Sequence, residues 1–334
     1  MRDRLPSYLL VNLALAGLAA LFFVASIYVG RGGELLFARL HAADEIDRSL
    51  AWLILTEVRL PRACLGLVVG ATLGLTGAGL QGLLRNPLAE PGLIGASSGA
   101  ALGAVLVFYF GLAAGSAMLV PLGGVVGALA SLGLLYLLAG RNPSIVTIIL
   151  AGVAISAFAS AFTSLALSLA ASPYAVYEII FWLLGSFTDR SMDQLWFALP
   201  FIVVGLALVA STSRALDALT LGEDTASSLG FNQTHVKLRA ILGTGLAVGA
   251  TVAVTGVIGF VGLVVPHIVR PFVGHQPGRL LLPSAFAGAA LLLAADLLVR
   301  LPVNGPEPKL GVITSLIGAP FFLWLILRTR REAN

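Results

Sequence analysis

Charge is what this chain has least of. Only 11% of its 334 residues are Asp, Glu, Lys or Arg, 58% are hydrophobic, and the mean hydropathy is +0.98. A soluble globule carries about 25% charged residues, so that class is excluded and an integral membrane protein is left. Cysteine is nearly missing too. Cys64 stands alone, which rules out an internal disulfide and any cysteine-cluster metal site and leaves small-residue packing as its role. Lysine occurs only as Lys237 in "HVKLR" and Lys309 in "EPKLG". Neither follows a glycine-rich turn or precedes a Ser or Thr, so no P-loop can form and the chain does not bind ATP in that way. The centres of most apolar runs (63–84, 93–139, 240–266 and 280–295) hold no Asp, Glu, Lys or Arg. Proton-coupled carriers need such groups at mid-membrane depth, whereas sodium coupling through carbonyls and hydroxyls stays open. His41, His235, His267 and His275 show no HExxH or paired spacing. No Ser-His-Asp grouping can be read either, so neither a metal site nor an enzyme is expected.

What is present is apolar sequence in long runs without strand alternation, which lipid permits only as helices of about 20 residues each. Polar breaks predict an all-α polytopic protein with ten spans, near 8–29, 63–84, 93–113, 117–139, 144–170, 194–212, 236–255, 257–273, 281–301 and 310–327. The first run exceeds a signal peptide's apolar core of about 7 to 15 residues and is read as a retained span. The stretch 236–273 is too long for one helix, and Thr255, Gly256 and Gly259 mark where it divides. With ten spans, Arg2, Arg4, Arg85, Arg141, Arg214, Lys237, Arg239, Arg270, Arg279 and the C-terminal arginines share one side. Most acids, among them Glu34, Asp44, Glu57 and Asp193, fall on the other. That bias puts both termini in the cytoplasm and accounts for the net charge of +4 without nucleic acid.

Glycine is plentiful, with 38 residues, and recurs four apart at Gly66, Gly70 and Gly74, at Gly95, Gly99 and Gly103, and at Gly123 and Gly127. Small residues at that spacing let membrane helices approach closely, which predicts a compact bundle. "ATLGLTG" (71–77) and "ATVAVTG" (250–256) echo one another on spans expected to run in opposite directions, as an inverted repeat requires.

One segment fits no bilayer. "LDALTLGEDTASSLGF" lies between spans on the basic side, where Gly222 and Gly230 can bracket a short helix with Glu223, Asp224, Thr225 and Ser228 among small apolar residues. A rigid polar helix parallel to the membrane can seat in a soluble partner and transmit its motion.

Together with "RLPRACLGLVVGATLGLTGAGLQGLLRNPLAEPGLIGASSGAALGA" (59–104), "LAGVAIS" (150–156), "WLLGSF" (182–187), "LGEDTASSLG" (221–230), "GFVGLVVPHIVR" (259–270) and "GVITSLIGAPFFLWLI" (311–326), the chain resembles the permease subunits of the iron-siderophore, haem and cobalamin uptake family. These are the ten-span importers of the ABC superfamily. The resemblance implies a type II ABC importer permease fold over a single transmembrane domain, 1–334, with cytoplasmic coupling helices at about 214–231. It implies a second permease copy, forming a homodimer in the bacterial inner membrane, surrounded by lipid. A cytoplasmic ATPase dimer would consume the ATP, a periplasmic binding protein would deliver cargo, and no cofactor is held covalently. By position, Gly222, Glu223, Asp224, Thr225, Ser228, Leu229 and Gly230 match the ATPase-coupling segment. Asn86 and Leu88 in the Pro-interrupted turn "RNPLAEPGLIG", with Ser144 at the next such turn, match the cytoplasmic gate. Arg59, Arg62 and Arg300 match the outward residues that dock the binding protein. The commonest cargo of the family is an iron chelate, siderophore or haem, with cobalamin the alternative. An ion-coupled secondary carrier is the competing class.

Overall fold

The computed structural model describes residues 8–30, 40, 44–140, 144–170, 172–301 and 307–333, and among them every regular element is helical. Helix α1 is Tyr8–Tyr28. Helix α2, Glu45–Leu53, passes through a π-helical turn, Ile54–Arg59, into α3, Leu60–Leu84. After a 3-10 turn at Pro91–Ile94 come α4 (Ala96–Tyr109), α5 (Leu119–Ala139), α6 (Ile145–Ser168), α7 (Pro173–Leu183) and α8 (Met192–Ala210). Two short helices follow, α9 (Ser213–Leu219) and α10 (Glu223–Ser228), then α11 (Gln233–Thr255), α12 (Val261–Val269), α13 (Pro277–Arg300) and α14 (Leu310–Ala333). Arg2, Arg4, His41 and Arg141 lie outside the described residues, as do the side chains of Arg328, Arg330 and Arg331.

Among the described residues seven helices are long and apolar enough to cross a membrane, and three shorter apolar stretches, α4, α12 with its 3-10 extension and Leu310–Leu325 of α14, stand where the other expected spans lie. Two helices were not expected. Helix α2, nine residues long, extends the second span at its start and is begun by Asp44, whose Oδ1 accepts from Ile46 N at 3.1 Å. Helix α7 has 11 residues, too few to cross, and is capped by Ser172 with Pro173 in its first turn. The third span is shorter than expected, because Pro91 opens a 3-10 turn and α4 begins only at Ala96.

The centre of the bundle is α3 and α11, each with 78% of its apolar window buried, against 17% for the lipid-facing α1. Glycine is what lets α3 sit there. A Cβ on Gly70 would come within 2.7 Å of Ala289 Cα, and one on Gly288 within 3.1 Å of Gly74 Cα, so α3 and α13 touch backbone to backbone. A Cβ on Gly103 would similarly stand 3.1 Å from Gly127 Cα, where α4 meets α5. Buried hydroxyls stay satisfied in this apolar interior. Thr72 and Thr76 donate to Val68 O and Thr72 O on α3, and Thr251 and Thr255 to Val248 O and Thr251 O on α11. The two echoing stretches therefore share a back-bonded threonine pair.

The division of 236–273 falls at the expected place. Helix α11 ends at Thr255, Gly256 takes φ +73°, and the chain regains helix only after Phe260 at φ +68°. The freed backbone is not orphaned: Thr255 O accepts from Ser186 N at 2.8 Å, and Phe260 N donates to Glu90 Oε1 at 2.8 Å.

Candidate functional site

Three sites take shape from the residues singled out by sequence. The first is the polar segment. Ala215, Leu216, Ala218 and Leu219 bury α9 against the bundle, and Asp217 Oδ1 accepts from Gly278 N at 2.7 Å, locking α9 to the start of α13. Helix α10 then turns outward. Ala226 is fully buried, while Leu221 and Leu229 are 65% and 60% exposed. Gly222 holds φ +106° and ψ 158°, a conformation essentially restricted to glycine, and Gly230 holds φ +90°. The two bends set the angle of α10 at both ends. Its base is tied to α11 by Lys237 Nζ to Glu223 Oε1 at 3.5 Å and by Gln233 Nε2, which donates to Glu223 O at 3.5 Å, and Phe231 N donates to Ala226 O at 3.1 Å to close its far end. Ser227 and Ser228 hydroxyls donate back to Glu223 O and Asp224 O. Asp224, Thr225, Ser228 and Leu229 are left facing out, so α10 is a braced polar protrusion.

The second site is the turn between α3 and α4. Arg85 ends α3 at φ 49°, and Asn86 Oδ1 accepts from Leu88 N at 2.9 Å, folding the Pro87 step into a tight turn. Asn86 is exposed and Leu88 half-buried. Burial pushes the Glu90 carboxyl above the ordinary carboxylate range, opposed by its hydrogen bond from Phe260 N. Pro91 packs on Gly262 and Leu93 O on Gly152, so the turn is strapped to both α12 and α6. Next to it, a cavity of about 310 Å³ brings Asn86 and Pro87 together with Thr220 of the polar segment and with Arg270 and His275 beyond α12. Arg270 Nη2 donates to Gln81 Oε1 at 2.5 Å, and Gln81 Nε2 donates to Leu263 O at 3.3 Å. These bonds tie the end of α3 to α12 and its 3-10 extension, while Asn86 of the turn and Thr220 of the polar segment share the walls of one cavity. Ser144 is not among the residues lining the cavity; it caps α6 by accepting from Thr147 N at 3.0 Å and is exposed.

The third site lies at the opposite end of the bundle. Arg59, Arg62 and Arg300 do gather there, but inside the protein, at 5%, 8% and 5% exposure. Arg59 Nη1 donates to Ile27 O at 2.6 Å and Tyr28 O at 3.0 Å, and Arg300 Nη1 to Ser26 O at 2.7 Å. Guanidiniums thus satisfy the last carbonyls of α1. Asp296 joins the other pair: Arg62 Nε and Nη2 each lie 3.0 Å from Asp296 Oδ1, and Arg300 Nη2 meets Oδ2. Arg62 Nη1 also donates to Glu307 Oε2 at 3.2 Å. Sequence reasoning missed Asp296, Glu90, Gln81 and Asp217. The first had a legible signal, since "ADLLVR" places an acid four residues before Arg300 in an otherwise apolar helix.

A model of the FecCD transport family matches residues 14–328. The hemin transport system permease protein HmuU of Yersinia pestis is 40% identical over 287 residues, 85% of this chain and 86% of that protein. The vitamin B12 import system permease protein BtuC of Vibrio cholerae is 38% identical over 324 residues, 96% of this chain and 93% of that one. A solved structure described as an inward-facing conformation of a metal-chelate type ABC transporter is similar at TM-score 0.82 and 31% identity, covering 96% of this chain and 99% of that chain. The match runs from within α1 into α14 and takes in all three sites, so the chain belongs to the FecCD transport family.

Proposed function

We propose that this ABC importer permease moves an iron chelate, a siderophore complex or haem, from a periplasmic binding protein across the bacterial inner membrane, driven by a separate ATPase dimer. The observation that carries the reading is the braced α9–α10 protrusion, at whose base Thr220 lines one cavity with Asn86 of the turn. A soluble motor that grips Gly222, Glu223, Asp224, Thr225, Ser228, Leu229 and Gly230 displaces α10. Rigid ties at Asp217 and Lys237 pass that displacement to α13 and α11. The turn at Asn86 and Leu88, together with Ser144 at the start of α6, opens and closes the cytoplasmic end. Two copies of the chain, each a single permease domain with both termini in the cytoplasm, enclose the path. ATP is the motor's substrate, and this chain holds no cofactor.

Arg59, Arg62 and Arg300 take part in docking the binding protein, by field more than by free contact. Arg62 and Arg300 are matched by Asp296 and Glu307, while Arg59 rests on carbonyls of α1, so the cluster keeps one excess positive charge that steers an acidic partner. A similar chelate-type neighbour and the haemin permease relative support the iron cargo. The B12 relatives support cobalamin as the second reading. Reconstitution of the complete complex with its binding protein tests both: nucleotide-dependent uptake of haem or a ferric siderophore, with cobalamin excluded, is the expected result. Cobalamin uptake alone would reverse the cargo, and uptake by this chain alone on a sodium or proton gradient would overturn the mechanism.

A further inference from the structure

A groove of about 590 Å³ runs along the outside of the bundle between α1, α12 and α13. Its walls are apolar throughout, with Leu10, Leu18 and Phe22 from α1, Ile268 and Phe272 from the α12 end and Ala290 from α13. Leu10, Leu18, Ile268 and Phe272 form exposed lips. The groove begins on the side of the membrane that carries α9 and α10, since α13 starts beside Asp217. From Leu10 to Phe22 the helix rises about 18 Å, close to half of a hydrocarbon core of about 30 Å. The slot therefore has the length of one leaflet's acyl chain.

At the mouth of the groove stand Tyr8, the first residue of α1, and Arg279, whose guanidinium carbon lies 5.9 Å from the centre of the Tyr8 ring. Both are exposed. A tyrosine and an arginine at the end of a span mark headgroup depth. Among the described residues this ring contact is the one interaction of Arg279, and no carboxylate pairs with it. We propose that the groove holds one acyl chain of an anionic phospholipid of that leaflet, with its headgroup phosphate on Arg279.

The test uses the full-length protein in nanodiscs, with phosphatidylglycerol and phosphatidylcholine as probes. Lipids retained after mild detergent extraction are counted by native mass spectrometry. The wild type should retain one phosphatidylglycerol per chain, preferred over phosphatidylcholine by about fivefold, the effect of one cation at an anionic surface. Arg279→Gln should retain a lipid without the preference. Ala14→Trp, which fills the slot from its exposed lip, should lose the retained lipid while its melting profile stays that of the wild type. Equal retention of both lipids by the wild type, unchanged retention in Ala14→Trp, or a co-purifying protein helix in place of lipid would each overturn the proposal.

Discussion

At the scale of single residues, buried ionisable groups carry the most stringent expectations. Asp296 is 1% exposed and is shared by Arg62 and Arg300. Asp296→Asn leaves the buried Arg300 guanidinium without its counter-charge and Arg62 with Glu307 alone, and should cost about 3–5 kcal/mol, read as loss of folded protein in detergent melts. Glu90 differs in kind. Its oxygen is needed as an acceptor for Phe260 N, but its charge is disfavoured by burial. Glu90→Ala should therefore cost about 1–3 kcal/mol by orphaning that amide, whereas Glu90→Gln keeps an acceptor, sheds the charge and should melt no lower than the wild type. A lower melting temperature for Glu90→Gln would mean that the ionised form itself is required. Glu307 offers a functional contrast. Its side chain is 26% exposed and pairs with Arg62 Nη1, so it competes with any incoming carboxylate. Glu307→Gln should raise binding-protein capture at low salt by up to about fivefold, the scale of one exposed ion pair, and the gain should vanish at high salt.

At the scale of elements, α10 depends on its two glycine bends. Gly222 lies in a region of backbone space that a Cβ makes costly, so Gly222→Ala should strain the start of α10 by about 1–3 kcal/mol. No neighbouring atom comes within 4 Å of the added Cβ, so the effect is conformational and not steric. The expected outcome is a folded permease whose ATPase stimulation falls while its binding-protein capture is unchanged. Elements also show what a sequence can and cannot disclose. The ten spans were legible because lipid imposes length and hydropathy on each separately, and the break after Thr255 because Gly256 punctuates an overlong run. Helix α7 was not, since Tyr174, Tyr177 and Glu178 dilute a stretch already too short to cross. The burial of Arg62 was not legible either, because its partner Asp296 is 234 residues away in the chain and only tertiary packing brings them together. The motifs at 221–230 and 85–95 drew attention to the polar segment and the Pro-interrupted turn, but the cavity lined by both Asn86 and Thr220 exists only once α3, α9 and α13 are assembled.

At the scale of the whole molecule, glycine-lined contacts at α3–α13 and α4–α5 pack these helices backbone against backbone. Such a bundle transmits force well, provided the force enters where the backbone is braced. The α9–α10 protrusion meets that condition, held by Asp217 on one side and Lys237 on the other. Cargo-stimulated ATP hydrolysis by the reconstituted complex is the most direct measurement of this claim, comparing the wild type with Glu223→Lys combined with Gly230→Pro. That variant sets a cation against Lys237 and disrupts the second bend. The expected result is a correctly inserted, ATPase-bound permease whose stimulated turnover falls to the unstimulated rate. Stimulated turnover equal to that of the wild type would contradict the account.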